Sequence, residues 1–129
     1  MKDKELTERI IGAAINVHSA LGPGFLESVY EEALSIEFAD LGIAYERQKS
    51  TKILYRGRPV GEHRLDFAVE SRVVVELKAV LNMEKIFFVI TRSYLEATGT
   101  ETGLLLNFAS MPLTIKRIGT EDLSYLSSS

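Results

Sequence analysis

The most informative stretch of this chain is residues 64–78, which read RLDFAVESRVVVELK. Two apolar-rich runs flank a short polar break at residues 70–72, and this pattern predicts a β-hairpin. Side chains alternate between the two faces of a strand. We therefore expect Asp66, Glu76 and Lys78 on one face. The apolar residues should share the other face: Leu65, Phe67 and Val69 on the first strand, and Val73, Val75 and Leu77 on the second.

The length of the polar break determines which residues oppose each other. With a three-residue loop, Val69 pairs with Val73, and Asp66 lies directly opposite Glu76. Opposed Cβ atoms are about 4.5–5.5 Å apart, so the two carboxylates could share a divalent cation, with the Lys78 ammonium one strand step away. This is the minimum equipment for metal-assisted phosphodiester hydrolysis. A two-residue loop would instead shift the register and put Asp66 on the wrong face.

A simpler interpretation of these residues stays open. A glutamate and a lysine two positions apart on a strand are common, and they usually form a solvated salt bridge that contributes little. A spacing pattern of one Asp, one Glu and one Lys also arises easily by chance.

Composition bounds the class of protein. The 129 residues suit one compact domain, and the 46% hydrophobic content is ordinary for a globular core. No apolar run reaches the roughly 18–20 residues that cross a bilayer, so we expect no membrane segment. The absence of cysteine excludes thiol chemistry and fits a reducing cytoplasm, where we expect the protein. His18 and His63 lack ligand-like spacing, so any metal is expected to be held by oxygen.

The net charge of −3 is unevenly distributed. Residues 1–46 carry three basic and nine acidic side chains, whereas residues 47–64 carry six basic and one acidic. The basic block runs directly into Asp66 and could hold a phosphate-bearing substrate. Alternatively, it is a solvated edge hairpin whose cations protect against aggregation.

Periodicity and turn signals predict helices at about residues 5–20, 26–41 and 82–97. Extended segments are predicted at about 43–56, 60–69, 73–80, 104–108 and 113–118, of which 104–108 should be buried on both faces. The Ser127–Ser129 end is expected to fray. The order of elements indicates an α+β or α/β fold with a mixed sheet.

A third carboxylate, Glu27, opens the second predicted helix. It would gain there from the helix macrodipole, which is the structural interpretation. The functional alternative is that Glu27 reaches the face bearing Asp66 and Glu76. Tyr30, three residues further on, is expected to be a half-buried packing residue.

Five separate segments, in order, resemble the GxxExxY protein family: residues 11–18 (IGAAINVH), 21–30 (LGPGFLESVY), 74–80 (VVELKAV), 94–99 (YLEATG) and 103–108 (GLLLNF). That family is assigned to the PD-(D/E)XK nuclease superfamily. The resemblance implies one nuclease-like domain over residues 1–129, with a core at about 5–118 and a tail at 119–129. It also implies a restriction-endonuclease-like core, a mixed β-sheet flanked by helices on both faces.

The resemblance further implies a Mg²⁺ (or Mn²⁺) site held by Asp66 and Glu76, helped by the main-chain carbonyl of Leu77. Lys78 would position or activate water and stabilise the transition state. Glu27 would match the acidic residue that many members carry on the first core helix.

One segment departs from the pattern. Where relatives often carry a polar stretch on the third helix, this chain has Phe87-Phe88-Val89-Ile90, followed by Thr91 and Arg92. Either Arg92 substitutes for the missing polar groups, or activity is reduced or lost. The apolar residues could instead form a surface for self-association or for a protein partner.

Three functions therefore compete. The first is a metal-dependent nuclease that acts on DNA or RNA, for which a homo-oligomer or a partner could supply sequence specificity. The second is a non-catalytic nuclease-fold module that binds nucleic acid or protein. The third is a small-molecule enzyme on the same fold, for which the sequence offers no Gly-rich phosphate loop.

Overall fold

The computed structural model describes residues 3–120, so the Ser127–Ser129 end and most of the expected tail lie outside it. The elements follow the predicted order. They are α1 (Lys4–Leu21), α2 (Glu27–Asp40), β1 (Tyr45–Tyr55), β2 (Arg58–Val69), β3 (Val73–Lys78), α3 (Lys85–Thr98), β4 (Thr102–Asn107) and β5 (Thr114–Gly119). Within residues 3–120, no helix combines the length and the apolar character that crossing a membrane requires.

The five strands form one sheet in the order β1-β2-β3-β4-β5. All neighbours are antiparallel except β3 and β4, which are parallel and joined through α3. A parallel pair needs such a long crossover connection, and a helix usually provides it. The prediction of a mixed sheet in an α+β fold is confirmed.

Two hydrophobic clusters lie on opposite faces of the sheet. The first packs α1 and α2 against residues such as Phe67, Val75 and Leu104. The second packs α3 against the other face; its buried members are Leu65, Ala68, Val74, Leu95, Leu105 and Ile118. Because successive residues of β3 and β4 serve different clusters, these strands are buried on both faces. This confirms the prediction for residues 104–108 and the expectation of helices on both sides.

The alternation of side chains along β2 reverses at Asp66, which corrects one expectation. Leu65 was expected to share a face with Phe67 and Val69, but it belongs to the α3-side cluster whereas they belong to the other. Opposite Asp66 in the β1–β2 register lies Gln48, whose backbone is left-handed with φ 49°. The irregularity therefore involves both strands at the same level.

The outer part of the β1–β2 hairpin extends beyond the rest of the sheet. β2 pairs with β3 only over residues 67–69, so residues 58–65 of β2 pair only with β1. Residues 52–62 are all exposed. Arg56 and Gly57 form the turn with φ values of 52° and 76°, as in the mirror-image turns that suit a twisted hairpin. We call residues 50–64 the β-ribbon.

Candidate active site

The hairpin of β2 and β3 has the predicted three-residue loop, Glu70-Ser71-Arg72. Glu70 and Ser71 adopt left-handed conformations, with φ values of 49° and 55°, and the Arg72 N–H donates to the Val69 carbonyl at 2.9 Å. Val69 pairs with Val73, and the same register continues to Phe67 and Val75. The predicted register is therefore confirmed for these pairs.

Main-chain pairing between β2 and β3 ends just before the acidic pair. Instead of a ladder bond, the Leu77 N–H donates to Oδ2 of Asp66 at 2.8 Å. The Asp66 side chain thus occupies the gap where the two strands separate. Its other oxygen, Oδ1, accepts a long hydrogen bond of 3.4 Å from the Gln48 amide, and the Asp66 carboxyl also hydrogen-bonds the carboxyl of Glu76.

The predicted side chains converge on one cavity of about 150 Å³. The cavity is lined by Glu27, His63, Arg64, Asp66, Glu76, Lys78, Phe87, Ile90, Thr91 and Tyr94. Four of these, Asp66, Glu76, Lys78 and Glu27, are sequence-predicted site residues. Leu77 is buried and contributes its N–H to Asp66, as described above.

Burial and crowding dominate the electrostatics of this cavity. Glu76 is only 7% exposed, and burial followed by the charge of Asp66 raises its pKa to about 9. Burial also raises the pKa of Asp66, although the Leu77 N–H bond opposes that shift. The pKa of Glu27, at the exposed rim, is raised by burial and then by Asp66. The positive charge of Lys78 acts to lower the pKa of all three carboxyl groups, Glu27, Asp66 and Glu76. One ammonium therefore faces three carboxyls.

Two buried polar atoms here lack a hydrogen-bond partner: Oε1 of Glu76 and Nε2 of His63, which lie 3.9 Å apart. The His63 ring stacks on Tyr94 at 3.5 Å, which joins β2 to α3 across the cavity. Burial lowers the pKa of His63, so its ring is neutral near pH 7. Burial, then Glu76 and Asp66, raises the pKa of Tyr94 to about 12.

Sequence reasoning missed both His63 and Tyr94. Tyr94 could have been found, because it lies seven residues after Phe87 and so shares its helical face. His63 could not, because strict alternation puts an odd-numbered residue of β2 on the face opposite Asp66. The reversal at Asp66 brings the two to the same cavity.

The apolar stretch on α3 forms one wall of the cavity through Phe87 and Ile90. The Lys78 ammonium lies 4.5 Å from the centroid of the Phe87 ring, which is a favourable cation–π distance. Arg92 does not line the cavity. Its guanidinium donates to the Thr120 carbonyl at 2.6 Å and lies 3.2 Å from Glu96, so the alternative in which Arg92 substitutes for the missing polar groups has no support in the geometry.

The apolar stretch on α3 also contributes to the core. Phe87 and Phe88 are half-buried against the α3-side cluster. This packing accounts for part of their apolar character, and a surface for self-association or for a protein partner stays an alternative.

The Gly24–Tyr30 segment presents Glu27 to the cavity. α2 begins at Glu27, and Leu26 before it gives no side-chain cap, so Glu27 lies in the first turn and also lines the cavity. Gly24 has φ 114°, a conformation that favours glycine. Tyr30 is fully buried, not half-buried as expected. Its hydroxyl donates to the Gly22 carbonyl at 2.6 Å and accepts the Phe25 N–H at 3.2 Å.

The donor set suits a hard cation held by few protein ligands. Among residues 3–120, no group of three or more acidic or histidine side chains is arranged to hold a metal ion. Mg²⁺, however, is usually bound by one or two carboxylates, with waters and substrate phosphates completing its shell. Oε1 of Glu76 has no hydrogen-bond partner, and the Gln48 amide lies 3.4 Å from Oδ1 of Asp66. The residues present therefore fit a Mg²⁺-type ion.

Comparison with known proteins gives one assignment. A family model described as the PD-(D/E)XK nuclease superfamily matches residues 4–118. No curated protein and no solved structure gave a significant match. The matched range spans α1 to β5 and includes every cavity residue named above. On this basis, the chain belongs to the PD-(D/E)XK nuclease superfamily.

Proposed function

We propose that this protein is a Mg²⁺- or Mn²⁺-dependent nuclease that hydrolyses phosphodiester bonds of nucleic acid in the cytoplasm. Membership of a nuclease superfamily gives the reaction class. One observation carries the proposal: the carboxyls of Asp66 and Glu76 are enclosed together in one cavity with the ammonium of Lys78. Buried like charges are unfavourable unless a proton or a cation compensates them.

Asp66 and Glu76 would hold the ion, with the main-chain carbonyl of Leu77 as a further ligand. The bond from the Leu77 N–H fixes the Asp66 carboxylate and leaves its Oδ1 available. Glu76 has a buried, unpartnered Oε1. A bound divalent ion would neutralise the scissile phosphate and lower the pKa of the attacking water.

Lys78 would act on the substrate, not on the ion, because an ammonium is no metal ligand. The Phe87 ring holds its charge at the cavity, where it would position water and stabilise the negative charge that develops during hydrolysis. Glu27, at the rim, would bind the ion through water or orient the nucleophile.

Within the superfamily, we propose membership of the GxxExxY family. The motif is Gly24-x-x-Glu27-x-x-Tyr30, and each named residue has a distinct task. Gly24 allows a left-handed turn, Tyr30 ties that turn to α2, and Glu27 lines the cavity.

The test pairs calorimetry with cleavage assays. We expect the wild type to bind Mn²⁺ and to cut DNA or RNA when Mg²⁺ or Mn²⁺ is added. Asp66→Asn and Glu76→Gln should lose both properties. Glu62→Gln is the matched control, because Glu62 is an exposed carboxylate on the same strand as Asp66. A wild type that binds no divalent ion and cuts no nucleic acid would overturn the proposal.

A second candidate is a catalytically weak or inactive nuclease-fold module that binds nucleic acid or a protein. The favouring observation is the apolar wall of Phe87 and Ile90, where relatives often place polar groups. Nucleic-acid binding without cleavage at any divalent ion concentration would select this candidate.

A further inference from the structure

The β-ribbon carries charge that the candidate site does not use. Of the six basic residues at positions 47–64, Arg47 pairs with Glu31 and Glu32, and Lys49 lies 3.5 Å from Glu46. The other four have no carboxylate within salt-bridge distance among residues 3–120: Lys52, Arg56, Arg58 and Arg64. These unpaired cations can neutralise phosphates without first breaking an ion pair.

The basic surface reaches the site at Arg64, which lines the acidic cavity. A second cavity of about 360 Å³ lies between the base of the β-ribbon and the end of α3, and Leu65, the residue after Arg64, lines it. Lys52 lines this cavity together with hydroxyls such as that of Thr51. Lys49 and Arg72 line it too, although Lys49 pairs with Glu46, and Arg72 with Asp3 and Glu70. A phosphate backbone entering the candidate site would therefore meet positive charge on its way along the ribbon.

The shape of the β-ribbon favours a duplex. The ribbon reaches roughly 20 Å outward from His63, which lines the site, to Gly57 in the turn. This length follows from six residues at about 3.3 Å each. The major groove of B-form DNA is wide enough for a two-stranded ribbon, whereas the A-form major groove of RNA is too narrow. Binding of single strands usually depends on aromatic platforms. Tyr55 is the ribbon's one such aromatic besides His63, and Arg56 lies over its ring at 5.1 Å.

The ribbon also exposes apolar side chains at its tip. Leu54 is 59% exposed and Val60 62%. Apolar residues on DNA-binding arms commonly contact thymine methyl groups or wedge between base steps.

We propose that the β-ribbon is an arm that lies in the major groove of duplex DNA, with Lys52, Arg56 and Arg58 contacting phosphates on either side. The proposal rests on the proposed nuclease function, because it names the substrate class of that same site. The arm sets the position of the duplex, and the acidic cavity at the base of the ribbon meets the phosphodiester backbone.

The experiment measures binding apart from cleavage. In an Asp66→Asn background with EDTA, fluorescence anisotropy follows binding to a duplex DNA of about 20 base pairs, two helical turns. Lys52→Gln/Arg58→Gln is compared with Lys4→Gln/Lys116→Gln, which removes two exposed cations elsewhere. Thermal melting of both variants confirms that they fold.

We expect the ribbon variant to bind about tenfold more weakly and the control to bind within about twofold of its parent. The slope of log K against log salt should fall in magnitude by about 1.8 for two lost phosphate contacts. Equal affinity and equal slope in the two variants would overturn the proposal. So would tighter binding of single-stranded DNA or duplex RNA than of duplex DNA.

Three further results separate this proposal from others. If Leu54→Ser/Val60→Ser converts a wild-type dimer to a monomer without changing DNA affinity, the ribbon is a self-association surface and the proposal fails. If ribbon-dependent DNA binding is found but the wild type cuts nothing, the arm stands and the nuclease proposal fails. If the Lys52→Gln/Arg58→Gln variant binds and cleaves DNA normally, the arm proposal fails and the nuclease proposal stands.

Discussion

The carboxylate of Asp66 accepts a hydrogen bond from the main-chain N–H of Leu77 at 2.8 Å. A side chain thereby continues the β2–β3 connection after main-chain pairing ends at Phe67 and Val75. The same residue thus has a structural task and a proposed metal-binding task. These tasks can be separated by substitution.

Asp66→Ala should be less stable than Asp66→Asn by about 1–3 kcal/mol, because alanine leaves the buried Leu77 N–H unsatisfied whereas the asparagine amide oxygen can still accept it. Urea unfolding of the metal-free proteins at pH 7 measures the difference. Glu62→Ala, on the exposed part of the same strand, should change stability by no more than about 0.5 kcal/mol. Equal stability of the two Asp66 variants would contradict the prediction.

The metal-free protein should lose stability as the pH rises from about 5 to above 9. The pKa of Glu76 is raised to about 9 by burial and by Asp66, while a glutamate in the unfolded chain titrates near 4.3. Between those values the folded state binds more protons than the unfolded state, so raising the pH favours unfolding. Glu76→Gln should flatten this dependence of the free energy of unfolding. An unchanged pH dependence in that variant would refute the assignment.

Binding of Mn²⁺ should release protons and should tighten with pH between about 6 and 8.5. The metal ligand must be deprotonated, and Glu76 holds a proton in this range when no cation is present. Calorimetry in two buffers of different ionisation enthalpy counts the protons released. Glu62→Gln should behave like the wild type. A pH-independent affinity without proton release would indicate that the ion binds elsewhere.

Lys78→Met should slow cleavage by a factor on the order of 10²–10³ while leaving Mn²⁺ affinity largely intact. The ammonium is no ligand, but it supplies charge where the transition state becomes negative, and losing such a group costs on the order of 10²–10³ in rate. Single-turnover cleavage assays beside calorimetry on the same variant provide the check. A parallel loss of metal binding and cleavage would mean that Lys78 organises the carboxyls instead.

Tyr30→Phe should destabilise the protein by about 1–3 kcal/mol. The hydroxyl satisfies both the Gly22 carbonyl and the Phe25 N–H, and its loss leaves these main-chain groups without that partner. Tyr55→Phe, at the exposed ribbon tip, serves as the control and should change stability by less than about 0.5 kcal/mol. Urea unfolding tests both. Stability equal to the wild type would show that the turn before Glu27 is held in another way.

The local features of the site could be predicted from the sequence. Hydrophobic alternation and the length of the break at residues 70–72 were enough to place Val69 against Val73, since register follows from both. The position of Glu27 near Lys78 was predicted through the GxxExxY resemblance and strand alternation. Both predictions rest on residues that are close together in the sequence or that belong to a sequence motif.

The contributions that depend on tertiary packing could not be predicted in the same way. His63 reaches the cavity because the alternation of β2 reverses at Asp66, and Gln48, a residue on another strand, adopts the left-handed backbone opposite it. The sequence could not decide whether Arg92 faces the cavity, because the rotation of α3 about its axis depends on which of its residues meet the second cluster. Sequence periodicity identifies a helical face but not the surface that it meets.

The two pairings of β3 differ in how early they can form. The β2–β3 hairpin closes over three residues, whereas the parallel β3–β4 pair must await closure across α3. Loop-closure entropy grows with loop length, and non-local pairing slows folding. Asp66 and Glu76 should therefore meet early, before α3 brings Phe87 against Lys78. The kinetic barrier to folding should then be sensitive to anything that relieves their repulsion, including a proton.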